Sequence, residues 1–389
     1  MKFLTWQNPE QLFVAQELIN KVKSKCCGIK VNDKYMNYPN FKVCCRCFTF
    51  NQSMYITDTM NGFIMQQTSF PFVCTIVDDA STDGEQEVIR KYVDENFDFS
   101  EGSVAFNKET DYAFITFAQH KTNKNCYFAV LYLKENHYSK GIGKQKMSYL
   151  AEWRDMCEYE ALCEGDDYWI VPDKLEKQVS ILDEHDDYAM CATEAIIQSE
   201  SGILNWRRYN QDRIVPINDI IEKGGLWLQT ATYLFRKGIN SDMIDCGRKC
   251  HVGDYPLIIW CAMKGNVYYL SDKTALYRFG YGWTKSFNEK DISTKIKGWK
   301  SELDMLKGFD SYSSYKYHNS FLRRRKRYFI FWIISPNSKH IDLLKDAFSE
   351  EYNLLSYFER LDCVMMQYGC YIIPRIRRKA VSLINKILH

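Results

Sequence analysis

The sequence predicts an α/β protein with a mixed, mostly parallel sheet flanked by helices and followed by a helical C-terminal region. Apolar runs of strand length alternate with segments whose apolar residues recur at helical spacing, and acidic residues follow two of these runs. Alternating strands and helices favour a parallel sheet with helices on both faces. Such sheets bind ligands at the carboxyl ends of their strands. We therefore expect a ligand site where these acids lie.

Two strand–helix units are predicted over residues 41–100. Val43–Phe48 is apolar and rich in cysteine apart from Arg46, which is typical of a buried strand. Phe72–Val77 is a second run of this kind. A helix is predicted after each strand from apolar residues at its spacing: Ile56, Met60, Phe63 and Ile64 in the first, and Val88, Ile89, Tyr92 and Val93 in the second.

The alternation is interrupted over residues 111–134. Two apolar-rich runs flank the turn-like HKTNKN, which predicts a β-hairpin inserted into the core. A helical segment follows over residues 144–156. The next strand ends on the acids of EGDD, Glu164–Asp167, and Pro172 then stands at a helix start, a favourable place for proline.

Composition places the chain among globular proteins and excludes several classes. The net charge of +2 leaves no overall field to attract nucleic acid, and 46% hydrophobic residues argue against disorder. The N-terminus lacks an apolar signal segment, and no apolar run reaches the roughly 20 residues that span a bilayer. We expect a cytoplasmic protein whose 15 cysteines stay reduced. Cys44 and Cys47 have C-x-x-C spacing, but no second pair completes a zinc site.

Three regions are expected along the chain: an N-terminal extension over 1–40 with a helix near Glu10–Lys23, an α/β domain over 41–285, and a helical, basic region over 286–389. In the last region, five basic residues at Arg323–Arg327 adjoin an apolar run, and 374–389 is a short basic amphipathic stretch. Together they could rest on an anionic membrane surface, at the inner face of the cell membrane. The alternative is a set of helices packed on the core with a solvated basic face.

Three acidic sites stand out in the sequence: Asp78-Asp79, Glu164–Asp167 and Asp254. They meet only if several strand ends converge on one cleft, as at the switch point of a doubly wound sheet. Charges as close as those of EGDD repel one another unless a cation lies among them. Mn²⁺ or Mg²⁺ suits oxygen ligands and also bridges diphosphate oxygens. We therefore expect a divalent cation at these acids.

The motifs KVCCRCFTFNQ, TIVDDASTDGE, LCEGDDYW and GDYPLIIW occur in the order found in inverting family 2 glycosyltransferases of the GT-A fold. Over about residues 41–285 the chain resembles this family, and within it the bacterial enzymes that build surface polysaccharides. The resemblance implies a GT-A (Rossmann-like) fold. It also implies transfer of a hexosyl or N-acetylhexosaminyl group from a nucleotide diphosphate, with UDP expected, to a hydroxyl of a glycan or lipid-linked acceptor. The implied cofactor is Mn²⁺ or Mg²⁺.

The resemblance also assigns residues to the nucleotide: Phe48, Thr49, Asn51, Asp78, Asp79, Lys140, Lys144 and Glu164. Phe48 stands where the family usually has proline. Asp79 is expected to accept a hydrogen bond from the uracil N–H, since a carboxylate accepts and an imide donates. The alternative for Asp78-Asp79 is a charge pair favoured by the dipole of the next helix. Lys140, Lys144 and Lys146 are expected to face the diphosphate, or to belong to a solvated basic face.

The remaining assignments concern the metal, the base and the acceptor. Asp166 and Asp167 lie at the family's DXD metal motif, where Glu164 replaces the usual first aspartate; a solvated acidic loop is the alternative. Asp254 matches the catalytic base, which deprotonates the acceptor hydroxyl in a single inverting displacement. Capping of the following helix is the alternative for it. The acceptor side is assigned to Trp169, Trp227, Gln229 and Thr230, with a core position as the alternative for Trp227.

One departure from the family lies after Tyr277-Arg278, where many relatives carry a histidine that helps to hold the metal. Here Phe279 and Gly280 follow. The metal then keeps fewer protein ligands, or the segment 280–283 acts as a lid.

A second hypothesis from another class is a non-catalytic sugar-nucleotide-binding or scaffold subunit of a polysaccharide assembly complex. The intact acids at the three sites favour an enzyme over this alternative: Asp79, Asp166, Asp167 and Asp254. A nucleotidyltransferase is disfavoured because the sequence lacks the glycine-rich phosphate loop that would indicate one.

Overall fold

The structure, a computed structural model, describes residues 38–204, 208–280 and 286–366, apart from the side chain of Leu226. The described residues from Asn40 onward form one compact unit. The helix expected near Glu10–Lys23, residues 281–283 of the expected lid and the basic stretch 374–389 lie outside the described residues.

Strands and helices are numbered along the described chain. The strands are β1 (Val43–Thr49), β2 (Phe72–Asp78), β3 (Phe97–Asp98), β4 (Phe106–Glu109), β5 (Ala113–His120), β6 (Cys126–Leu133), β7 (Tyr159–Leu162), β8 (Tyr168–Trp169), β9 (Tyr188–Ser199), β10 (Gly202–Leu204), β11 (Arg213–Ile214), β12 (Leu234–Arg236) and β13 (Asn266–Arg278). The helices up to residue 264 are α1 (Ile56–Ile64), α2 (Glu85–Asn96), α3 (Lys146–Tyr149), α4 (Ala151–Arg154), α5 (Lys174–Glu184), α6 (Ile217–Lys223), α7 (Asp245–Arg248) and α8 (Asp254–Lys264). The C-terminal helices are α9 (Ile292–Tyr312), α10 (His318–Tyr328), α11 (Ile341–Ala347), α12 (Ser349–Asn353) and α13 (Tyr357–Met366), with a π-helical turn at Phe329–Ile334 after α10.

The sheet has a parallel centre. Its main strand order is β11-β13-β9-β12-β7-β1-β2-β6-β5-β3, and β7, β1, β2 and β6 are parallel neighbours. The long strands β9 and β13 are parallel to each other, and the antiparallel strand β12 joins them to β7. The expected mixed, mostly parallel sheet is therefore confirmed, and the carboxyl ends of β7, β1 and β2 lie together.

Helices cover both faces of the sheet, as the apolar composition of the central strands predicts. Every residue of β2 and β6 is buried. One apolar cluster includes Phe63 of α1, Ile89 of α2 and Val179 of α5. A second cluster, built with α6, α8 and α9, includes Trp260 and Phe309, whose rings lie 6.0 Å apart. The helices expected around residues 56–64 and 85–96 are confirmed.

The hairpin expected over residues 111–134 is present, but it is not an insertion. β5 and β6 pair antiparallel, with Ala113 opposite Leu133. β6 is also the parallel neighbour of β2, with Cys126 opposite Phe72. The second strand of the hairpin therefore belongs to the parallel core, which a local turn signal does not reveal.

The basic run Arg323–Arg327 is paired with acids of the protein. Its ion-pair partners are Glu222 for Arg323 and Arg327, Glu302 for Arg324, Glu350 and Glu351 for Arg325, and Glu359 for Lys326. Arg324 and Arg325 are buried. These contacts favour the packed-helix alternative for this run, with less of a solvated face than expected. In the part of the chain that is described, no helix has the length and apolarity to cross a bilayer.

Gly62 in α1 packs directly against the backbone of β8. A Cβ at this position would lie 2.8 Å from the nitrogen of Trp169 and 2.9 Å from its oxygen. Gly62→Ala should therefore lower the free energy of unfolding by about 1–3 kcal/mol despite the better helix propensity of alanine. Urea unfolding measures this, with Gly143→Ala as the control because its Cβ would have only ordinary contacts. Equal stability of the two variants would contradict the close packing.

Candidate active site at the carboxyl edge of the sheet

The exits of β1 and β2 form one wall of the candidate site. Thr49 stands opposite Asp78, and the N–H of Asp79 donates to the carbonyl of Thr49 over 3.0 Å. The backbone turns sharply after each strand, since Asn51 after β1 and Ala80 after β2 have φ of 54° and 58°. This left-handed conformation costs an alanine roughly 1–2 kcal/mol. Strain of this kind often marks functional turns.

Asp79 is buried and holds three donors. Its Oδ1 accepts the N–H of His137 over 2.7 Å, and its Oδ2 accepts the N–H of Tyr138 over 3.1 Å and Nζ of Lys146 over 2.8 Å. Nζ of Lys146 also lies 5.1 Å from the ring centroid of Phe48. A carboxylate has about four acceptor positions, so a further donor can still be accepted.

Asp78 has a different environment from Asp79. It is buried, and its Oδ1 accepts the N–H of Ser81 over 3.1 Å and Nε2 of Gln86 over 2.5 Å. Its Oδ2 has no hydrogen-bond partner among the described residues. Burial raises its pKa. The neighbouring Glu85, whose pKa burial also raises, accepts the hydroxyl protons of Thr49 and Ser81. These contacts fix the turn after β2 to the end of β1.

Lys140 and Lys144, two of the lysines expected at the diphosphate, bond elsewhere in this structure. Lys140 pairs with Glu135 at the surface, and Nζ of Lys144 donates to the carbonyl of Arg248 over 2.7 Å. The lysine of this loop that reaches the strand ends is Lys146. Spacing in a loop does not determine side-chain direction, so the sequence did not distinguish the three. The diphosphate contacts of Lys140 and Lys144 stay predictions.

The EGDD motif runs directly past the end of β1. The N–H of Gly165 donates to the carbonyl of Phe48 over 3.2 Å. A Cβ on Gly165 would overlap the side chains of Thr49 and Gln52, so only glycine allows this approach. The contact brings the second acidic motif to the strand ends that carry Asp79.

Three carboxyls of this motif have raised pKa values. Burial raises the pKa of Glu164 to about 7; the charge of Asp166 adds to the shift, and Arg46 and Lys146 oppose it. Burial also raises the pKa of Asp166 and of Asp167, and the charge of Asp166 adds to the shift at Asp167. The cluster is therefore electrostatically unfavourable by itself, and a cation would be stabilised within it.

Arg278, at the end of β13, is a site residue that the sequence analysis did not assign. Its Nη1 donates to the carbonyl of Asp166 over 2.5 Å, its backbone N–H to Oδ1 of Asp167 over 2.9 Å, and its Nη2 to Asp58 over 2.6 Å. The rings of Tyr55 and Tyr168 lie 4.6 and 4.8 Å from the guanidinium carbon. An arginine at a strand end carries no motif of its own, so the sequence gives no signal for this role.

The residues present fit a divalent cation that also binds the ligand's phosphates. Within residues 38–204, 208–280 and 286–366, no three His, Cys, Asp or Glu side chains are arranged to hold a metal by themselves. Asp166 and Asp167 offer carboxylate oxygens with raised pKa values. Mg²⁺ typically takes one or two carboxylates and completes its coordination with substrate phosphates and water. Cys44 and Cys47 are free and buried in β1.

Trp169, expected on the acceptor side, lies in the core behind the motif. It is 1% exposed, its ring lies 4.9 Å from that of Phe63, and its Nε1–H donates to the carbonyl of Ala231 over 2.8 Å. Nζ of the buried Lys174 lies 4.3 Å from the Trp169 ring. The acidic motif is thereby connected to the segment around residue 230.

The buried Lys174 gives a prediction about stability and pH. Burial lowers its pKa to about 8, so between about pH 8 and 10.5 the unfolded chain binds a proton that the folded chain has released. The lysine therefore makes the free energy of unfolding increase with pH by about 1 kcal/mol per unit between pH 8.5 and 9.5.

Lys174→Met should remove this increase, measured as the difference between wild-type and variant urea unfolding at each pH. Lys177→Met on the same helix, at an exposed ion pair with Asp272, should retain it. Identical pH dependence of wild type and Lys174→Met would contradict the prediction.

The segment expected to line the acceptor side is held by Arg208, which the sequence analysis also missed. Its Nε donates to the carbonyl of Trp227 and its Nη2 to Oε1 of Gln229, each over 2.5 Å, while Nη1 pairs with the buried Glu194 over 2.6 Å. Trp227 is half-buried with its ring 5.2 Å from that of Tyr209. Three further donors reach Glu194, including the hydroxyl of Tyr269. A buried ion pair of this kind offsets its desolvation only when its remaining polar atoms also have hydrogen-bond partners.

Thr230 begins the short 3₁₀ turn that follows Gln229. It is half-buried, and its carbonyl accepts the N–H of Tyr233 over 3.0 Å. Gln229 itself is 4% exposed. Thr230 is therefore more exposed to solvent than Gln229 and is the better placed of the two to contact a ligand.

Asp254 is the first residue of α8, after the N-cap Gly253. Asp254 therefore does not occupy the N-cap position, although the N–H of Tyr255 opposes the rise in its pKa that burial causes. A Cβ on Gly225 would lie 3.2 Å from Oδ2 of Asp254. Burial raises the pKa of Tyr233, and the charges of Asp254 and then Tyr277 add to the shift.

A chain of contacts thus connects the third acidic site to the other two. Asp254 adjoins the glycine turn before Trp227, Arg208 links Trp227 to Gln229, and Trp169 hydrogen-bonds to the same segment. Asp79, Asp166 and Asp254 are thus joined through a few intermediate residues.

Comparison with known proteins gives related sequences and folds. No protein-family model matches the chain. It is 28% identical over 260 residues to "Uncharacterized protein Rv1520" of Mycobacterium tuberculosis and to "Uncharacterized protein Mb1547" of Mycobacterium bovis. Each match covers 64% of this chain and 63% of the relative, so the matched part falls short of the relatives' full length.

The solved structures show the fold. Residues 1–349 of Staphylococcus aureus TarS in complex with UDP-GlcNAc match with a TM-score of 0.57 and 16% identity, over 82% of this chain and 83% of that one. The same TarS fragment in complex with UDP matches with a TM-score of 0.55 and 16% identity, over 84% and 87%. This chain therefore has the GT-A fold, with helices added at its C-terminal end.

Proposed function

We propose that this protein is an inverting, metal-dependent glycosyltransferase that moves a sugar from a nucleotide diphosphate, with UDP as the nucleotide, to a hydroxyl group. One observation carries the proposal. Gly165 brings the EGDD acids against the end of β1, where Asp79 lies with Lys146. The shared fold with TarS, solved in complex with UDP and with UDP-GlcNAc, supports a sugar nucleotide as the ligand.

The nucleotide lies at the ends of β1 and β2 in this proposal. Asp79 accepts the uracil N–H with the acceptor capacity that its three present donors leave. Lys146, beside Asp79 and Phe48, supplies positive charge on the same side. Gly165 packs directly against the side chain of Thr49, so a larger residue at either position would separate the EGDD motif from the end of β1.

The diphosphate lies beside the EGDD acids. Asp166 and Asp167 would hold the divalent cation, Mn²⁺ or Mg²⁺, with Glu164 and Arg278 as their neighbours. When bound, the cation stabilises the negative charge that develops on the leaving diphosphate. Arg278 fixes the positions of Asp166 and Asp167, because it donates hydrogen bonds to the carbonyl of the first and the carboxylate of the second.

Asp254 is the general base of the proposed reaction. Its burial raises its pKa and so makes it a better proton acceptor than an exposed aspartate. It takes the proton of the acceptor hydroxyl, and the hydroxyl oxygen forms a bond to the anomeric carbon. The bond from that carbon to the phosphate oxygen breaks, and the nucleotide diphosphate leaves with the electron pair. One displacement of this kind inverts the anomeric configuration.

The finer parts of the proposal concern the biological context. The sequence motifs favour family 2 and a hexosyl or N-acetylhexosaminyl donor. Trp227 and Thr230 face a glycan or lipid-linked acceptor in surface-polysaccharide synthesis. A lipid-linked acceptor would agree with a cytoplasmic protein that contacts the inner face of the membrane.

A thermal-shift screen tests the proposal. UDP-GlcNAc, UDP-glucose and GDP-mannose are added singly, each with and without Mn²⁺, and a ligand at 100 times its Kd should stabilise the fold by about 2.7 kcal/mol. We expect stabilisation by a UDP-sugar that depends on Mn²⁺, with release of UDP when an acceptor is supplied. Stabilisation without any UDP release would favour the non-catalytic subunit instead. No stabilisation by any nucleotide would contradict both.

A further inference from the structure

We infer that the C-terminal helices complete the acceptor side of the site, with Arg324 of α10 as a positioning residue that holds a glycine turn against Asp254. The inference rests on the proposed function, because it gives Asp254 the role of the base. It assigns a role to residues beyond the α/β sheet, in a region that the sequence motifs do not reach.

Arg324 is enclosed on several sides. It is 7% exposed, and its Nη2 donates to Oε1 of Glu302 in α9 over 3.2 Å. Its guanidinium carbon lies 5.1 Å from the ring centroid of Tyr255 and 5.2 Å from that of Tyr328. Tyr255 is the residue after Asp254. These contacts restrict the Arg324 guanidinium, so the segment that packs against it is held in a fixed position.

The chain that packs on Arg324 is a turn of two glycines. Gly224 has φ of 83°, which strongly favours glycine, and a Cβ there would lie 2.5 Å from Cζ of Arg324. A Cβ on the next residue, Gly225, would lie 2.9 Å from Cβ of Tyr255 and 3.2 Å from Oδ2 of Asp254. The turn is therefore enclosed between Arg324 on one side and Asp254 on the other.

This turn leads directly into the candidate acceptor wall. The N–H of Trp227 donates to the carbonyl of Gly224 over 3.1 Å. A shift of the turn would therefore move Trp227 and open space beside Asp254 at the same time. Because a misplacement of about 1 Å can cost a reaction on the order of 100-fold, such a shift would affect catalysis without any change in donor contacts.

The positive charge of Arg324 also affects Asp254, because it compensates the charge of the nearby Glu302. Burial raises the pKa of Glu302; Arg324 opposes the shift, and the charge of Asp254 adds to it. Without Arg324, a buried acid would lie uncompensated within range of Asp254. His251, 3.7 Å from Glu302, cannot replace the cation at neutral pH, because burial lowers its pKa to about 4.

The test uses the full chain labelled with 5-fluorotryptophan and the variant Arg324→Met. Trp227→Phe identifies the ¹⁹F resonance of Trp227. We expect Arg324→Met to shift or broaden that resonance and to leave the resonance of Trp153, which packs on Phe117, unchanged. With UDP-GlcNAc and Mn²⁺, kcat for UDP release should decrease by about 10- to 100-fold while KM for UDP-GlcNAc stays within about twofold.

Two further variants make the result specific. Arg323→Met removes a neighbouring cation that pairs with Glu222 at the surface, and it should behave as wild type. The added methyl group of Gly225→Ala contacts Asp254 from the side of the turn. Gly225→Ala should therefore have the same effect as Arg324→Met, and it provides the test if Arg324→Met folds poorly.

An unchanged Trp227 resonance and kcat in Arg324→Met would overturn the inference. So would a uniform shift of all tryptophan resonances together with a higher KM, because that pattern indicates a general structural role. If the wild type releases no UDP, the proposed function fails for this donor, and the Trp227 resonance still decides whether Arg324 positions the turn.

Discussion

Asp254→Asn should reduce sugar transfer by about 10²- to 10⁴-fold while donor binding stays within about twofold of wild type. Asparagine keeps the size and hydrogen-bonding shape of the side chain but cannot accept the proton of the acceptor hydroxyl. Asp254 adjoins the glycine turn and Tyr255, and in the proposed function it contacts the acceptor and not the nucleotide. The loss should therefore appear in kcat and leave KM for the donor unchanged.

The measurement is UDP release with acceptor present, combined with the thermal shift that UDP and Mn²⁺ produce. Asp245→Asn is the matched control, since Asp245 lies at the surface of α7 and pairs with Lys249. The pH profile gives a second readout: the rate should increase as pH rises through the pKa of Asp254, which burial places above that of an exposed aspartate. Transfer at the wild-type rate by Asp254→Asn would remove Asp254 from the mechanism.

Asp166→Asn should abolish the dependence of donor binding on Mn²⁺ and reduce transfer by about 10²- to 10³-fold, since a cation at a developing charge is worth several kcal/mol. The same substitution should leave the ligand-free protein at least as stable as wild type. Burial raises the pKa of Asp166, and its charge raises that of Asp167 and Glu164, so a neutral amide relieves repulsion.

Opposite signs for stability and activity separate this prediction from simple loss of fold. Thermal unfolding without ligand gives the first quantity, and titration of UDP with increasing Mn²⁺ gives the second. Asp272→Asn, at an exposed ion pair with Lys177, is the control and should change neither. Retained Mn²⁺ dependence in Asp166→Asn would mean that the cation binds at another place.

The parallel centre of the fold could be predicted because its strands are apolar on both faces. β1 is mostly apolar apart from Arg46, β2 is buried along its whole length, and apolar residues such as Phe63 and Ile89 recur at helical spacing in the helices that follow. The pairing of β9 with β13 was not predicted, because long-range partners leave no local signal. The role of β6 was missed for the same reason: its turn to β5 is visible in sequence, and its contact with β2 is not.

The acids of the candidate site could be predicted because Asp78-Asp79 and Glu164–Asp167 end apolar runs and Asp254 precedes one. What surrounds them could not. Arg278 and Arg208 approach from other parts of the chain and carry no motif of their own. Lys146 is one of three lysines in the segment Glu135–Lys146, and only the folded structure shows that it is the one paired with Asp79. Trp169 looked like a ligand-facing aromatic beside acids, but the strand pairing of β8 turns it into the core.

A crystal structure of the full chain with UDP and Mn²⁺ tests the central claim most directly. The account predicts uracil at Asp79, the diphosphate and the cation at Asp166 and Asp167, and Asp254 across an open space from the terminal phosphate. UDP bound away from these residues, or Asp254 on a surface that does not face the phosphate, would contradict it.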